Sequence, residues 1–444
     1  MSVTNIWHVL NLRSTPFFQD ALEPGTGVRY PLSLFVGRRR EADAILREIG
    51  GAPHSRTAIQ GAAGVGKTTL VNYVKAELTA DAYIADANPI SVVSAATAEH
   101  LLLVILTSVH DALVARDETL AYLEPMRKVR QLLDLERSRT FNLNLGFAHL
   151  GSAGAGTGQQ RHTGPGALTV QPQRLLRELR DVAVDRLQTP GVLIHLDNLE
   201  NASEADQGKA AQIIRDLRDT GLMYDGFHFL LVGTDDAVRT VVAAQEQLRS
   251  VFHNPGSLAP LTEEELDELL VARYDHLRLS PDRPWLPPVE PQAVHALYRL
   301  FGGNLRGTLH ALNEAAKVLV GHGSRPTDPM TETSMQPVLA VIYAQKMVAD
   351  LTAAELAFVK GMVERGVSSS TTQSEVAKAL ATTQKTASEM FAALRRKGYL
   401  TEGETIRVAR GPGRPAQAYH LTAPPLIACG MLASQASGLP GATV

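Results

Sequence analysis

Residues 61 to 68 read Gly61-Ala62-Ala63-Gly64-Val65-Gly66-Lys67-Thr68, three glycines, a lysine and a hydroxyl in the spacing G-x-x-x-x-G-K-T. Glycines at these positions let backbone N–H groups turn inward along a tight path that a Cβ would obstruct. A cation and a hydroxyl then close the nest, so the ligand it suits is a chain of phosphates carrying a divalent metal. Lys67 supplies a point charge to the β and γ phosphates, Thr68 a hydroxyl to Mg²⁺, and Thr69 shares their helical turn. The expected ligand is therefore a nucleoside triphosphate with Mg²⁺.

A carboxylate must complete the coordination of that metal. Val192-Leu193-Ile194-His195-Leu196-Asp197 reads as an apolar strand ending in one, which makes Asp197 the partner of Thr68. His195, in mid-strand among apolar residues, reads as a satisfied core histidine rather than a ligand, and no other His, Asp or Glu grouping has metal-ligand spacing.

Elements must hold these residues in place. Thr57–Gln60 reads as a buried strand ahead of the loop and Thr69–Lys75 as a helix behind it. Beyond them strands and helices alternate: a strand at 83–87, helices at 97–115 and 172–187, the Asp197 strand, a helix at 205–220 and a strand at 227–233. Such alternation predicts a three-layer α/β domain around a parallel sheet. Between 141 and 170 the pattern lapses: Phe141, Leu143, Leu145 and Phe147 alternate with Asn142, Asn144 and Gly146 before a glycine run, which suggests a strand or hairpin with a mobile tip, able to touch DNA or a neighbouring subunit, or else a disordered surface loop. After Leu261 helical patterns take over, and a Pro/Gly/Ser/Thr-rich stretch over 321–337 reads as a linker.

Composition sets the outer bounds. The chain has 444 residues, 44% hydrophobic and 20% charged, with a net charge of −3, which gives a globular protein room for two to four domains. Its single cysteine, Cys429, excludes an internal disulfide framework and a cysteine-based zinc site. No run of eighteen apolar residues exists, Leu101–Leu106 being too short to span a bilayer, and no basic-then-apolar leader opens the chain, so the expected setting is cytoplasmic, with no membrane partner.

Charge is distributed unevenly. Thr352 and Glu355 form a capping box that starts a helix, a second short helix follows at 373–380, and a third from 383 to 397 places Ala387, Met390, Phe391 and Leu394 on one face. Ile406–Arg410, a Gly-Pro tip at 411–415 and a return at 418–422 complete a hairpin. From Lys378 to Arg414 eight Lys and Arg stand against three acids, a local balance of +5 that suits phosphates. Gln384, Lys385 and Ser388 at the start of the third helix, Arg395 at its end, and Arg407, Arg410 and Arg414 on the hairpin are the candidate contacts to duplex DNA. Helices and hairpin together resemble a winged-helix domain, a fold that also docks proteins.

Taken in order, the motifs resemble the AAA+ superfamily, and within it the origin-recognition and initiator-like clade. The resemblance covers about residues 34–320 and implies an ATPase, with ATP as the triphosphate. Thr234, after the strand Phe227–Gly233, matches the sensor 1 position; Arg249 matches an arginine finger offered to an adjacent subunit, which implies a homo-oligomer; Arg306, after Gly302-Gly303-Asn304-Leu305, matches sensor 2; and Val36 and Arg38 match a segment packed near the adenine. Where many relatives carry the Glu that orients the attacking water, this chain has Asn198, which cannot take up a proton. Either Glu200 stands in, or turnover is slow and the nucleotide acts as a switch. The resulting architecture is an N-terminal linker (1–33), a P-loop α/β ATPase core (34–260, with an insertion at about 137–171), a helical lid (261–322), a linker and connecting helix (323–350), a winged helix (351–422) and a tail (423–444). STAND-type signalling NTPases, whose winged helix would dock a protein effector, are the competing resemblance, although the lid here has the Arg and lacks their Gly-x-Pro. A DNA-moving motor is a third reading that Asn198 disfavours.

Overall fold

Strands buried on both faces need no polar alternation, and the apolar stretches 192–197 and 227–233 become the centre of a parallel sheet. A computed structural model describes residues 5–25, 27–86, 88–135, 171–197, 199, 204–253, 256–320, 327–406 and 416–431. It divides into residues 21–259 and a second unit made of 1–20 with 260–444.

In the first unit six strands, β1 (Ser55–Gly61), β2 (Ile84–Ala85), β3 (Ile90–Ser91), β4 (Val192–Asp197), β5 (Phe227–Gly233) and β6 (Ser257–Leu258), lie in the order β2-β4-β5-β1-β6, with β3 also on β4. All pairings are parallel. The expected three-layer α/β arrangement is therefore present. The strand expected at 83–87 is present as the shorter β2, and β3, on the same edge of β4, and β6 were not foreseen. Val192, Ile194 and Leu196 pack in one core with Leu101, Ile105, Leu175, Leu179, Ile214 and Leu217. Period-2 geometry turns Leu193, His195 and Asp197 to the other face.

The helix Ala98–Arg116 is long and apolar enough, by length and composition, to cross a membrane, although polar residues interrupt its apolar run. Here Leu101, Leu102, Ile105, Leu106, Val109 and Leu113 on it are buried in the protein core.

In the second unit the helices Glu263–His276, Pro291–Leu300, Leu305–Leu319 and Glu332–Asp350 precede three more, Ala353–Glu364, Gln373–Ala379 and Gln384–Arg396. An antiparallel hairpin of β7 (Leu400–Ile406) and β8 (Ala416–Leu421) follows. Its first strand starts at Leu400, earlier than expected, and the 411–415 tip lies outside the described residues. Phe358, Phe391 and Tyr419 form the aromatic centre of this domain, with Phe391 edge-on to Tyr419 at 4.8 Å. The helix at 332–350 begins inside the stretch expected to be a linker, opened by a Thr331–Ser334 capping box. Residues before Asp20, expected as part of a linker, are also built in: the buried Arg273 donates to the carbonyls of Pro16 and Phe18 and stacks on the Phe18 ring at 3.8 Å.

The Thr352–Glu355 capping box forms as expected, and Lys397 joins it at 2.7 Å from Glu355. The Lys397 ammonium, then the Thr352 N–H, hold the Glu355 carboxyl down at about 2, against an ordinary 4.5. A depressed carboxyl stabilises the fold above its unfolded value and loses that contribution as pH falls. Thermal melts should therefore show Glu355→Gln less stable at neutral pH by on the order of 1 kcal/mol, after allowance for solvent screening. The gap between wild type and variant should close as pH falls from 4.5 to about 2.

Candidate nucleotide site

Parallel strands deliver their C-terminal ends to one edge, so the segments after β1, β4, β5 and β6 meet there. β5 lies between β1 and β4, which puts Thr234, after β5, between the glycine loop and Asp197 along the sheet.

The loop is crowded where it leaves β1. A Cβ on Gly61 would stand 3.1 Å from Leu258 Cβ and 3.2 Å from Val65 Cγ2. Gly66 caps the helix Lys67–Ala80 at φ 98°, a left-handed conformation that favours glycine, and no side chain bonds to that cap. The helix's first N–H groups thus point into the loop with no side-chain cap, the arrangement that receives anions. Lys67 is buried, its Nζ donating to the carbonyls of Gly61 (3.0 Å) and Ala62 (3.1 Å), while Thr68 and Thr69 are half-buried beside it.

Arg38 is buried at the left-handed start of the helix Arg39–Gly50, and its guanidinium donates to Val65 O at 2.8 Å and Ala259 O at 2.6 Å. It therefore bridges the loop to the end of β6. Just before it, Phe35 stacks on Tyr73 of the loop's own helix at 4.2 Å, and Val36 is half-buried between them in sequence. The leading segment thus packs on the phosphate loop and its helix.

Asp197 is nearly buried at the end of β4, with Oδ2 3.6 Å from His195 Nε2. His195 is in the core as expected, but it is not satisfied: neither ring nitrogen has a hydrogen-bond partner among the described residues. Burial, then the Lys75 charge, drives its pKa down to about 3, so the ring is neutral. Sequence reasoning missed the pair beside it. Lys75, on the loop's helix, lies 2.6 Å from Asp86, whose other oxygen accepts the His195 backbone N–H at 2.8 Å. Burial pushes the Asp86 carboxyl up, with Lys75 opposing. The signal was a lysine in an otherwise apolar helical stripe with Leu70, Val71, Val74 and Leu78.

Thr234 caps the helix Asp235–Val238, its Oγ1 accepting from Ala237 N at 3.3 Å, which leaves the hydroxyl proton to donate elsewhere. Arg249 is exposed between the buried Leu248 and Phe252, without a carboxylate partner among the described residues. Asn198 and Glu200 lie outside the described residues. The loop, Arg38, Asp197 and Thr234 thus gather at one end of one sheet.

Arg306 and the DNA candidates belong to the other unit. Arg306 is exposed at the start of the helix Leu305–Leu319, which Asn304 caps through Gly307 N at 3.0 Å. Gln384, Lys385 and Ser388 are exposed on the first turns of the helix Gln384–Arg396. Arg395 is paired with Glu402 at 2.7 Å, so that cation is partly neutralised. Arg407, Arg410 and Arg414 lie outside the described residues, as does the 141–170 segment.

The donors fit Mg²⁺: a threonine hydroxyl and a carboxylate are hard oxygen ligands, and among the described residues no group of three or more His, Cys, Asp or Glu gathers to favour another metal.

Residues 34–223 match the family described as the AAA ATPase domain, a span holding the loop and Asp197. No curated protein matches the chain. Among solved structures, an Aeropyrum pernix ORC1 protein in complex with DNA is 13% identical, with 90% of this chain and 93% of that one covered at a TM-score of 0.43. An Aeropyrum pernix ORC2 protein solved as ADPNP-ADP complexes is 15% identical, covering 95% and 98% at 0.46. The Thermotoga maritima RuvB Holliday junction branch migration motor is 14% identical, covering 87% and 93% at 0.38.

Replacing Arg38 with Ala leaves the Val65 and Ala259 carbonyls without their charged donor. Urea unfolding should show a loss of about 2 kcal/mol, the range for hydrogen bonds to a charged group, together with weaker nucleotide binding.

Proposed function

We propose that this chain is an initiator-like AAA+ switch, which binds ATP with Mg²⁺, hydrolyses it slowly, oligomerises through Arg249 and holds duplex DNA with its C-terminal winged helix. What carries the reading is the convergence at one sheet edge of a glycine nest closed by Lys67, a metal-suited carboxylate on Asp197 and a polar sensor position at Thr234.

In this reading the loop N–H groups and Lys67 bind the β and γ phosphates, and Thr68 with Asp197 holds the metal. Bound Mg²⁺ would neutralise charge on those phosphate oxygens. Thr234 orients the γ phosphate, with Arg306 from the lid and Arg249 from a neighbouring copy completing the site. Asn198 positions water but takes no proton, so Glu200 or solvent must, and occupancy matters more than turnover. Gln384, Lys385, Ser388, Arg395, Arg407, Arg410 and Arg414 face the DNA, and the whole acts in the cytoplasm.

A second reading, a STAND-like signalling switch whose winged helix docks a protein effector, draws support from the ion pairs that occupy Arg395 and Lys397.

Fluorescent ATP titrated with Mg²⁺ tests the core of the proposal. Lys67→Ala should abolish saturable binding, and retention of wild-type affinity would refute it. Arg249→Ala should keep ATP affinity while losing hydrolysis or assembly; unchanged turnover and unchanged size by light scattering would remove the finger assignment. Filter binding separates the two readings. Salt-sensitive duplex binding that is lost on changing Lys385, Arg410 and Arg414 together supports DNA, whereas no binding in low salt with ATP supports an effector.

A further inference from the structure

A buried imidazole with both nitrogens unpartnered costs about 1–3 kcal/mol, and such groups in native structures have a reason. His195 is 1% exposed and meets that description among the described residues. The orientation of its ring supplies the reason. Residues two apart on a strand share a face, and Nε2 stands 3.6 Å from Oδ2 of Asp197, a few tenths of an ångström beyond a hydrogen bond. The backbone beneath is fixed, because the His195 N–H is tied to Asp86 and Asp86 to Lys75 on the phosphate loop's helix. The short movement that closes the gap therefore belongs to the Asp197 carboxylate at the strand end.

We infer that His195 is a positioning residue: its Nε2–H donates to Asp197 Oδ2 when Mg²⁺ and nucleotide are bound, so that Oδ1 is the oxygen presented to the metal. The inference rests on the nucleotide reading above. His195 touches neither metal nor phosphate. By holding Oδ2 it selects which carboxylate oxygen is presented to the metal, and it fixes its own tautomer in doing so. The same contact satisfies a nitrogen that is otherwise orphaned in the core.

The test uses the full chain and fluorescent ATP, with Mg²⁺ titrated at fixed nucleotide and an EDTA baseline. His195→Leu keeps bulk and removes the donor. It should raise the Mg²⁺ concentration for half-maximal binding about tenfold, the lower end for loss of a group behind a metal ligand, while affinity in EDTA stays at the wild-type level. His195→Gln, whose amide nitrogen reaches the place of Nε2, should restore the wild-type midpoint, and the shorter His195→Asn should not. A wild-type midpoint in the Leu variant, or equal midpoints for Gln and Leu, overturns the inference. Should the Leu variant fail to show a cooperative melt, Gln against Asn decides, and equal midpoints there overturn it too. Wild-type protein that binds no nucleotide with Mg²⁺ refutes the nucleotide reading itself, and this inference with it, before any variant is compared.

Discussion

The parallel hydrogen bonding of β1 to β5 and of β5 to β4 is the constraint on which the nucleotide end depends. It holds Gln60 opposite Gly233 and Leu196 opposite Leu231, so the glycine loop, Thr234 and Asp197 leave the sheet side by side. A parallel arrangement brings the C-terminal ends of neighbouring strands to one edge, and it requires strands buried on both faces. The apolar composition of β4 and β5 is thus tied to the chemistry at their ends. A polar residue among them needs a particular reason: His228 in β5 is bonded to Ser55 at 2.9 Å, while His195 and Asp197 in β4 stand at the nucleotide end.

A second layer of buried cations then stiffens what the sheet aligns. Arg38 reaches two backbone carbonyls, one in the loop and one past β6. Lys75 reaches Asp86, which in turn holds the backbone of β4. In both cases a charge taken out of water is matched by fixed acceptors, without which its burial would cost several kcal/mol. Both cations join the loop or its helix to strands far away in sequence. The glycine nest is flexible by composition, and these bridges are what limit its freedom.

Such bridges explain what the sequence disclosed and what it withheld. The phosphate loop, its flanking strand and helix, the Asp197 strand and the Thr352–Glu355 cap were legible because each rests on local spacing or on a run of one residue character. β3 and β6, with two residues each, were not, since their pairing depends on partners more than a hundred residues away. Arg38 was legible as a site residue, but its bond to Val65 was not, because a guanidinium's acceptors are backbone groups with no sequence signature. Pro337 suggested a linker, yet the Thr331–Ser334 cap starts the helix before it. His195 was placed correctly in the core, while its missing partners were visible only in three dimensions.

The same distinction governs the basic C-terminal domain. A count along the sequence treats each cation as available, but Lys397 is engaged with Glu355 and the Asp350 carbonyl, and Arg395 with Glu402. On the helix Gln384–Arg396, Lys385 and Arg396 remain exposed with no carboxylate partner among the described residues. Each phosphate neutralised contributes a slope of about −0.9 to the salt dependence of duplex binding, so the cations already paired inside the domain do not add to it. Whatever affinity this domain has for a polyanion is therefore set by fewer charges than the sequence count of eight, and Lys385 at the N-terminal turn and Arg396 in the last turn fix where on that helix they act.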